Sequence, residues 1–225
     1  MALAAYLTAL QSLLGDPLGE FYTPAQLTVF INTARNRIAA SGECVRWLPP
    51  NGTAQNQTVA NQEVYPFAAV NALIPAGSGI GSILAVRTVA VQNGSIKPTW
   101  TQLAWSRFQA FLRIYSGSFT GNTTVGWWSQ FSFGTLGSIY LAPIPTSAQP
   151  MDWDCTCLPI ALALDTDPEA VPYPWTDLIP FYAAYLALLQ QQRGPDADMM
   201  FKRMQMMGPW AARVVKRQFI SSMYG

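Results

Sequence analysis

The chain has 225 residues, half of them hydrophobic and only 11% charged, where an ordinary globular domain carries about 25%. That length suits one domain with a core of its own, and a surface so short of charge suits either extensive protein contacts or a coat of Ser, Thr, Asn and Gln, the former favoured. Net charge is +1 and histidine is absent, which excludes Ser-His and Cys-His nucleophilic schemes and histidine-ligated metals.

Leu3, Tyr6, Leu7, Leu10, Leu13 and Leu14 have the spacing of a first amphipathic helix, stopped by Gly15-Asp16-Pro17. Thr23-Pro24-Ala25-Gln26 is a capping box with proline at the first helical position, and Tyr22 and Leu27 stand where a hydrophobic staple would place them. That second helix runs through Phe30, Ile31, Ala34 and Ile38 to Ser41-Gly42, with Arg35 and Arg37 on its polar side. Cys44–Leu48 and Ser82–Gln92 are β-branched, strand-like runs, and Asn93-Gly94 is a hairpin-type turn. Gly77-Ser78-Gly79-Ile80-Gly81 precedes a strand-like run instead of a helix, so it reads as a flexible connection and not a phosphate loop. Another helix begins at Pro98-Thr99-Trp100-Thr101-Gln102, with Ala104, Phe108, Phe111, Leu112 and Tyr115 on its face. Residues 117–150 return to strand and loop, with Trp127-Trp128, Phe131-Ser132-Phe133 and Ser138–Leu141.

Pro172-Tyr173-Pro174-Trp175 holds an extended entry to a helix over residues 178–189 that is apolar nearly all round and therefore central. Gly194-Pro195 stops it and opens the next helix, where Asp196 and Asp198 suit the dipole. Six more large side chains follow, Met199, Met200, Phe201, Met204, Met206 and Met207, before Gly208-Pro209 breaks or kinks the helix. The methionines suit either packing or an adaptable partner surface. The expected fold is mainly α: a bundle of about four to five helices with a β-rich insertion in mid-chain. Residues 1–43, 98–116 and 168–225 would form the bundle and its C-terminal tail, and residues 44–97 and 117–167 the β-rich part, within one domain.

Charge is distributed in blocks. Residues 1–113 hold 7 basic and 4 acidic side chains, residues 114–192 hold 6 acidic and no basic ones, and residues 193–225 hold 6 basic and 2 acidic ones. Such blocks can pair between copies of a subunit or, equally, simply face water. Cys44, Cys155 and Cys157 are too few and too oddly spaced for a disulfide framework and read as reduced cytosolic thiols. Met1–Asp16 lacks the basic start and cleavage site of a signal peptide. The longest apolar run falls short of the roughly 20 residues of a membrane span, so the expectation is a soluble protein with no membrane partner. Asp152, Asp154, Asp165, Asp167 and Glu169 are the carboxylates from which an acid/base pair could be drawn, but turns beside Pro150 and Pro168 account for most of them. No catalytic residue, metal ligand or cofactor is assigned.

Two stretches resemble a known family. Phe21-Tyr22-Thr23-Pro24-Ala25-Gln26-Leu27 through Ile31-Asn32-Thr33-Ala34-Arg35-Asn36-Arg37-Ile38-Ala39 resembles the opening of the head-to-tail adaptors of short-tailed phages, also called tail tubular protein A or head-completion proteins. Asp167-Pro168-Glu169-Ala170-Val171-Pro172-Tyr173-Pro174-Trp175, leading into Phe181–Leu188, resembles a later segment of that family. The resemblance covers about a third of the chain and excludes residues 44–165. It implies a virion protein at the head-tail junction, made in the host cytoplasm, in a ring commonly of twelve copies between the portal and the tail nozzle. DNA would pass through the channel without being read. It also implies a C-terminal tail that reaches the portal, for which Trp210, Arg213, Lys216, Arg217, Phe219 and Tyr224 are the candidates, and β-rich loops facing the tail, for which Trp127, Trp128 and Phe131 are the candidates. The alternatives are a phage cell-wall hydrolase using Asp152, Asp154, Asp165 or Glu169, and a receptor-binding tail or capsid module built on the loops near Trp127.

Overall fold

The computed structural model describes residues 3–92, 95–115 and 126–223, without the side chains of 111, 113–115 and 214–223. Six α-helices occur among them: α1 (Leu3–Leu14), α2 (Pro24–Gly42), α3 (Phe67–Asn71), α4 (Trp105–Tyr115), α5 (Ile179–Gln190) and α6 (Gly194–Met223). The strands are β1 (Arg46–Trp47), β2 (Val64–Pro66), β3 (Ile80–Val91), β4 (Thr101–Gln102), β5 (Trp127–Phe131), β6 (Ser138–Ala142) and β7 (Met151–Pro159). The mainly α expectation is thereby corrected. The protein is mixed α/β, 42% helical and 22% strand, with one sheet of three strands and one of four.

The chain forms two compact units, one of Met1–Val45, Ala76–Ile80 and Pro159–Gly225, the other of Arg46–Pro75 and Gly81–Leu158. In the first, α5 packs against α1, α2 and α6, as its all-round apolar composition requires. Ile179, Ala183, Ala184, Ala187 and Leu188 are buried. The alanines let neighbouring helices approach closely, while Tyr185 meets Phe201 of α6 at 5.0 Å between ring centroids. The capping box of α2 is present: the Gln26 N–H donates to Thr23 Oγ1 at 3.3 Å and the Thr23 N–H to Gln26 Oε1 at 3.0 Å. Tyr22 and Leu27 are both buried. Helix α6 continues through Gly208-Pro209 instead of breaking there. Proline forfeits one helical hydrogen bond, but the helix continues and Ala211, two residues beyond, is buried.

The glycine run at 77–81 is less loose than its composition implies. Gly79 has φ +76°, and a Cβ there would lie 2.6 Å from the Pro168 carbonyl oxygen. Its own carbonyl accepts the Ile160 N–H at 2.8 Å. Only glycine combines that dihedral with that approach.

The second unit has a core of its own, which is why the middle of the chain is more than an insertion. Its sheets have the orders β1-β7-β3 and β2-β6-β5-β4. Strands β5 and β6 pair antiparallel with Trp128 opposite Leu141, while β4 runs parallel to β5. Thr101 and Gln102 therefore form a strand, not the first turn of a helix. The Thr101 and Leu103 N–H groups donate to the carbonyls of Gly126 and Trp128, and these bonds hold the segment extended up to the start of α4. Helix α4 packs on β5. Phe67 meets Trp153 edge-on at 6.1 Å, a favoured aromatic geometry. Asp152 and Asp154 lie on β7, not in a turn. Asn93-Gly94 lies outside the described residues.

All three cysteines are free. Cys155 and Cys157 are fully buried on β7; burial pushes the Cys155 thiol far up, and the Cys157 thiol up to about 12. Since the thiolate is the reactive form, we expect both to alkylate at pH 8 at least roughly 100-fold more slowly in the native protein than in urea. Mass spectrometry after timed iodoacetamide labelling would show this. Equal native and unfolded rates would refute the inward placement of β7. Among the described residues, no helix is long and apolar enough to cross a membrane.

Candidate assembly interface

The first unit is closed by a buried polar cluster between α2 and the segment leading to α5. Arg35 has no exposed surface, which corrects the sequence expectation that it lies on the polar side of α2; Arg37 is exposed. Arg35 stands four residues after Ile31 and three before Ile38, so helical periodicity carries it to the core face. There it grips Glu169 in a fork: Nη2 donates to Oε1 at 2.8 Å and Nε to Oε2 at 3.0 Å. Its Nη1 donates to the Ile160 carbonyl at 2.6 Å and to Asn32 Oδ1 at 3.0 Å. Glu169 also accepts the Tyr6 hydroxyl at 2.8 Å and the Val171 N–H at 2.8 Å. Burial, followed by the adjacent Glu169 charge, pushes the Tyr6 phenol far above its ordinary range, so Tyr6 stays protonated and donates. Asn32 completes the set by accepting the Leu162 N–H and donating to the Leu162 carbonyl.

The same segment is tied twice more. Asp167 accepts the Leu164 and Ala163 N–H groups at 2.7 and 2.6 Å, bonds that hold its carboxyl below the ordinary range. Asp165 accepts the Ala4 N–H at 2.8 Å, at the start of α1, where a carboxylate suits the helix dipole. In the second unit Asp154 pairs with Arg46, and Asp152 with Lys97 at 3.0 Å and with the Asn51 amide at 2.7 Å. Every carboxylate from which a hydrolytic pair could be drawn therefore has a structural partner.

Around that closed core the first unit presents large apolar side chains to solvent. Asp16 organises the α1–α2 connection by accepting the N–H groups of Glu20, Phe21 and Tyr22 at 2.8, 3.1 and 3.0 Å. Burial opposes its ionisation, but the backbone donors outweigh that and hold the carboxyl below its usual range. The connection so shaped leaves Leu18 82% and Phe21 74% exposed. Sequence reading missed this surface. Its only signal was two large apolar residues outside any helical period, following an aspartate between glycine and proline.

Helix α6 buries Ala197, Met200 and Ala211 and turns Met199, Met206 and Trp210 outward, with Lys202, Arg203 and Arg213 exposed among them. Among the tail candidates, Trp210 meets Tyr173 edge-on at 6.3 Å. The helical backbone continues past Lys216, Arg217 and Phe219, whose side chains lie outside the described residues, as does Tyr224 entirely. Trp127, Trp128 and Phe131 belong to strand β5. Trp128 is fully buried and Trp127 half-buried, whereas Phe131, Phe133 and Leu136 are exposed at the β5–β6 connection. Phe131 lies 4.9 Å from the Trp105 ring of α4.

Comparison with protein-family models and with the curated proteins found no match to this chain.

Proposed function

We propose that this chain is a structural virion subunit, a head-to-tail adaptor whose copies ring the channel between portal and tail nozzle. The observation that carries the reading is the Arg35–Glu169 pair. It joins the two stretches that resemble the adaptor family, 134 residues apart in sequence, and the Tyr22 hydroxyl bonds to the Ala187 carbonyl within the same pair of stretches at 3.2 Å. Resemblances that began as separate patterns thus belong to one packed unit. The exposed apolar side chains of that unit suit a protein whose work is binding. DNA would pass through the ring unread, since the basic side chains of α6 come with no recognition motif.

In this reading the end of α6 latches onto the portal: cations steer, and Trp210, Phe219 and Tyr224 anchor. The exposed β5–β6 connection around Phe131 faces the tail nozzle. Replacing Lys216 and Arg217 by glutamate and Phe219 by alanine is expected to abolish attachment to purified portal rings, read by co-sedimentation, while leaving amide exchange of α5 and α6 unchanged. Undiminished attachment would sink the latch. Faster exchange there would show instead that these side chains serve the fold.

A further inference from the structure

We infer that neighbouring copies join by a heterologous contact in which the Asp16-organised connection of one copy seats on the outer face of α6 of the next. The inference rests on the assembly reading above and names its interface. Two surfaces of the first unit carry it. One carries Leu18 and Phe21 on the connection and, in the second turn of the α2 that follows it, Val29, which is 63% exposed on the side opposite the buried Leu27 and Ile31. The other is formed by Met199 and Met206, seven residues apart on the side of α6 opposite the buried Ala197, and 45% and 75% exposed.

The surfaces are complementary in charge as well as apolar. The first 34 residues contain Asp16 and Glu20 and no lysine or arginine, and Glu20 is exposed beside Phe21. On α6 the carboxylates Asp196 and Asp198 stand beside Met199, Asp196 paired with Arg193 at 2.6 Å, while Lys202 and Arg203, both exposed, stand on either side of the Met206 stripe. A connection held by the Asp16 carboxylate, with Glu20 beside Phe21, thus matches an adaptable thioether surface whose Met206 end is flanked by cations. The two patches share no residue and sit on different elements, so each surface would repel its own kind and accept the other. Contacts of that kind repeat head to tail, closing into a ring when the rotation allows. A second copy is therefore the occupant of each patch.

The test uses the full chain and two single substitutions at exposed positions, Phe21→Glu and Met206→Glu, followed by sedimentation velocity at millimolar concentration. Wild type is expected to form higher oligomers, and each variant alone to lose association at least about tenfold. An equimolar mixture is expected to give dimers and nothing larger, because each variant retains the patch that the other lacks. A charge swap, Glu20→Lys mixed with Lys202→Glu, should restore part of what either loses alone. A monomeric wild type overturns the contact. So does a mixture that associates like wild type, or one that stays monomeric while wild type assembles. Dimers in the mixture without any binding to portal rings would leave the contact standing and defeat only the adaptor reading.

Discussion

Glu169→Gln is expected to destabilise the first unit by about 3–5 kcal/mol, the cost of leaving a buried charge without its partner. Arg35 is wholly buried and Glu169 nearly so, with side-chain exposures of 0% and 7%. Glutamine keeps the shape of glutamate but not its charge, and its amide end presents donors to a guanidinium that has only donors to offer. Tyr6 would lose an ionic acceptor at the same time. Arg35→Met should cost a comparable amount, because Glu169 is then the stranded charge. The double replacement Arg35→Met with Glu169→Met should recover most of the loss, since an apolar pair of similar volume strands nothing. With two compact units in the chain, a single unfolding curve is a poor readout, so amide exchange of α2 and α5 is the measurement. Opening should become roughly 150- to 4,000-fold more frequent in Glu169→Gln. A change under about threefold there would contradict the account of the clamp.

Trp128→Ala is expected to cost the second unit about 3–5 kcal/mol, the usual range for deleting a fully buried aromatic. Trp128 has no exposed surface, pairs across the sheet with Leu141 and donates its indole N–H to the Trp100 carbonyl at 3.2 Å. Alanine would leave both a cavity and an unpaired buried acceptor. Trp127→Ala, at the half-buried neighbouring position on the other face of β5, should cost clearly less. This contrast separates the strand from the loop first expected there. Were Trp128 a surface contact for a tail protein or receptor, its removal would impair binding and leave the fold intact. Urea unfolding followed by amide exchange in β5 and β6 distinguishes the outcomes.

These two residues also mark where the sequence stops being legible. Local signals came through: the Thr23 capping box needs only residues three apart, and α5 announces itself by being apolar all round. Arg35 did not, because its partner lies 134 residues away and an arginine among apolar neighbours reads as a solvated side chain until a counter-charge is found. Its position on the Ile31–Ile38 face was a visible but overridden clue. The Asp152 and Asp154 strand was hidden in a similar way. Alternating carboxylates look like turn residues unless Arg46, Lys97 and Asn51 are known to lie opposite them. Thr101 and Gln102 were read as helix because the extended course is imposed by their distant partners Gly126 and Trp128. The candidate surface divided along the same line. The α6 residues were legible from helical period, whereas Leu18 and Phe21 became prominent only once the Asp16 carboxylate was seen gathering three backbone donors.

The central claim is that this protein works by assembling against a portal. It is tested most directly by mixing purified protein with portal rings from the same virus and imaging the complexes by electron microscopy. The account expects an added symmetric ring on one end of the portal, with the first units side by side and the end of α6 directed at the portal surface. Bare portal rings beside a protein that is folded by amide exchange would contradict it.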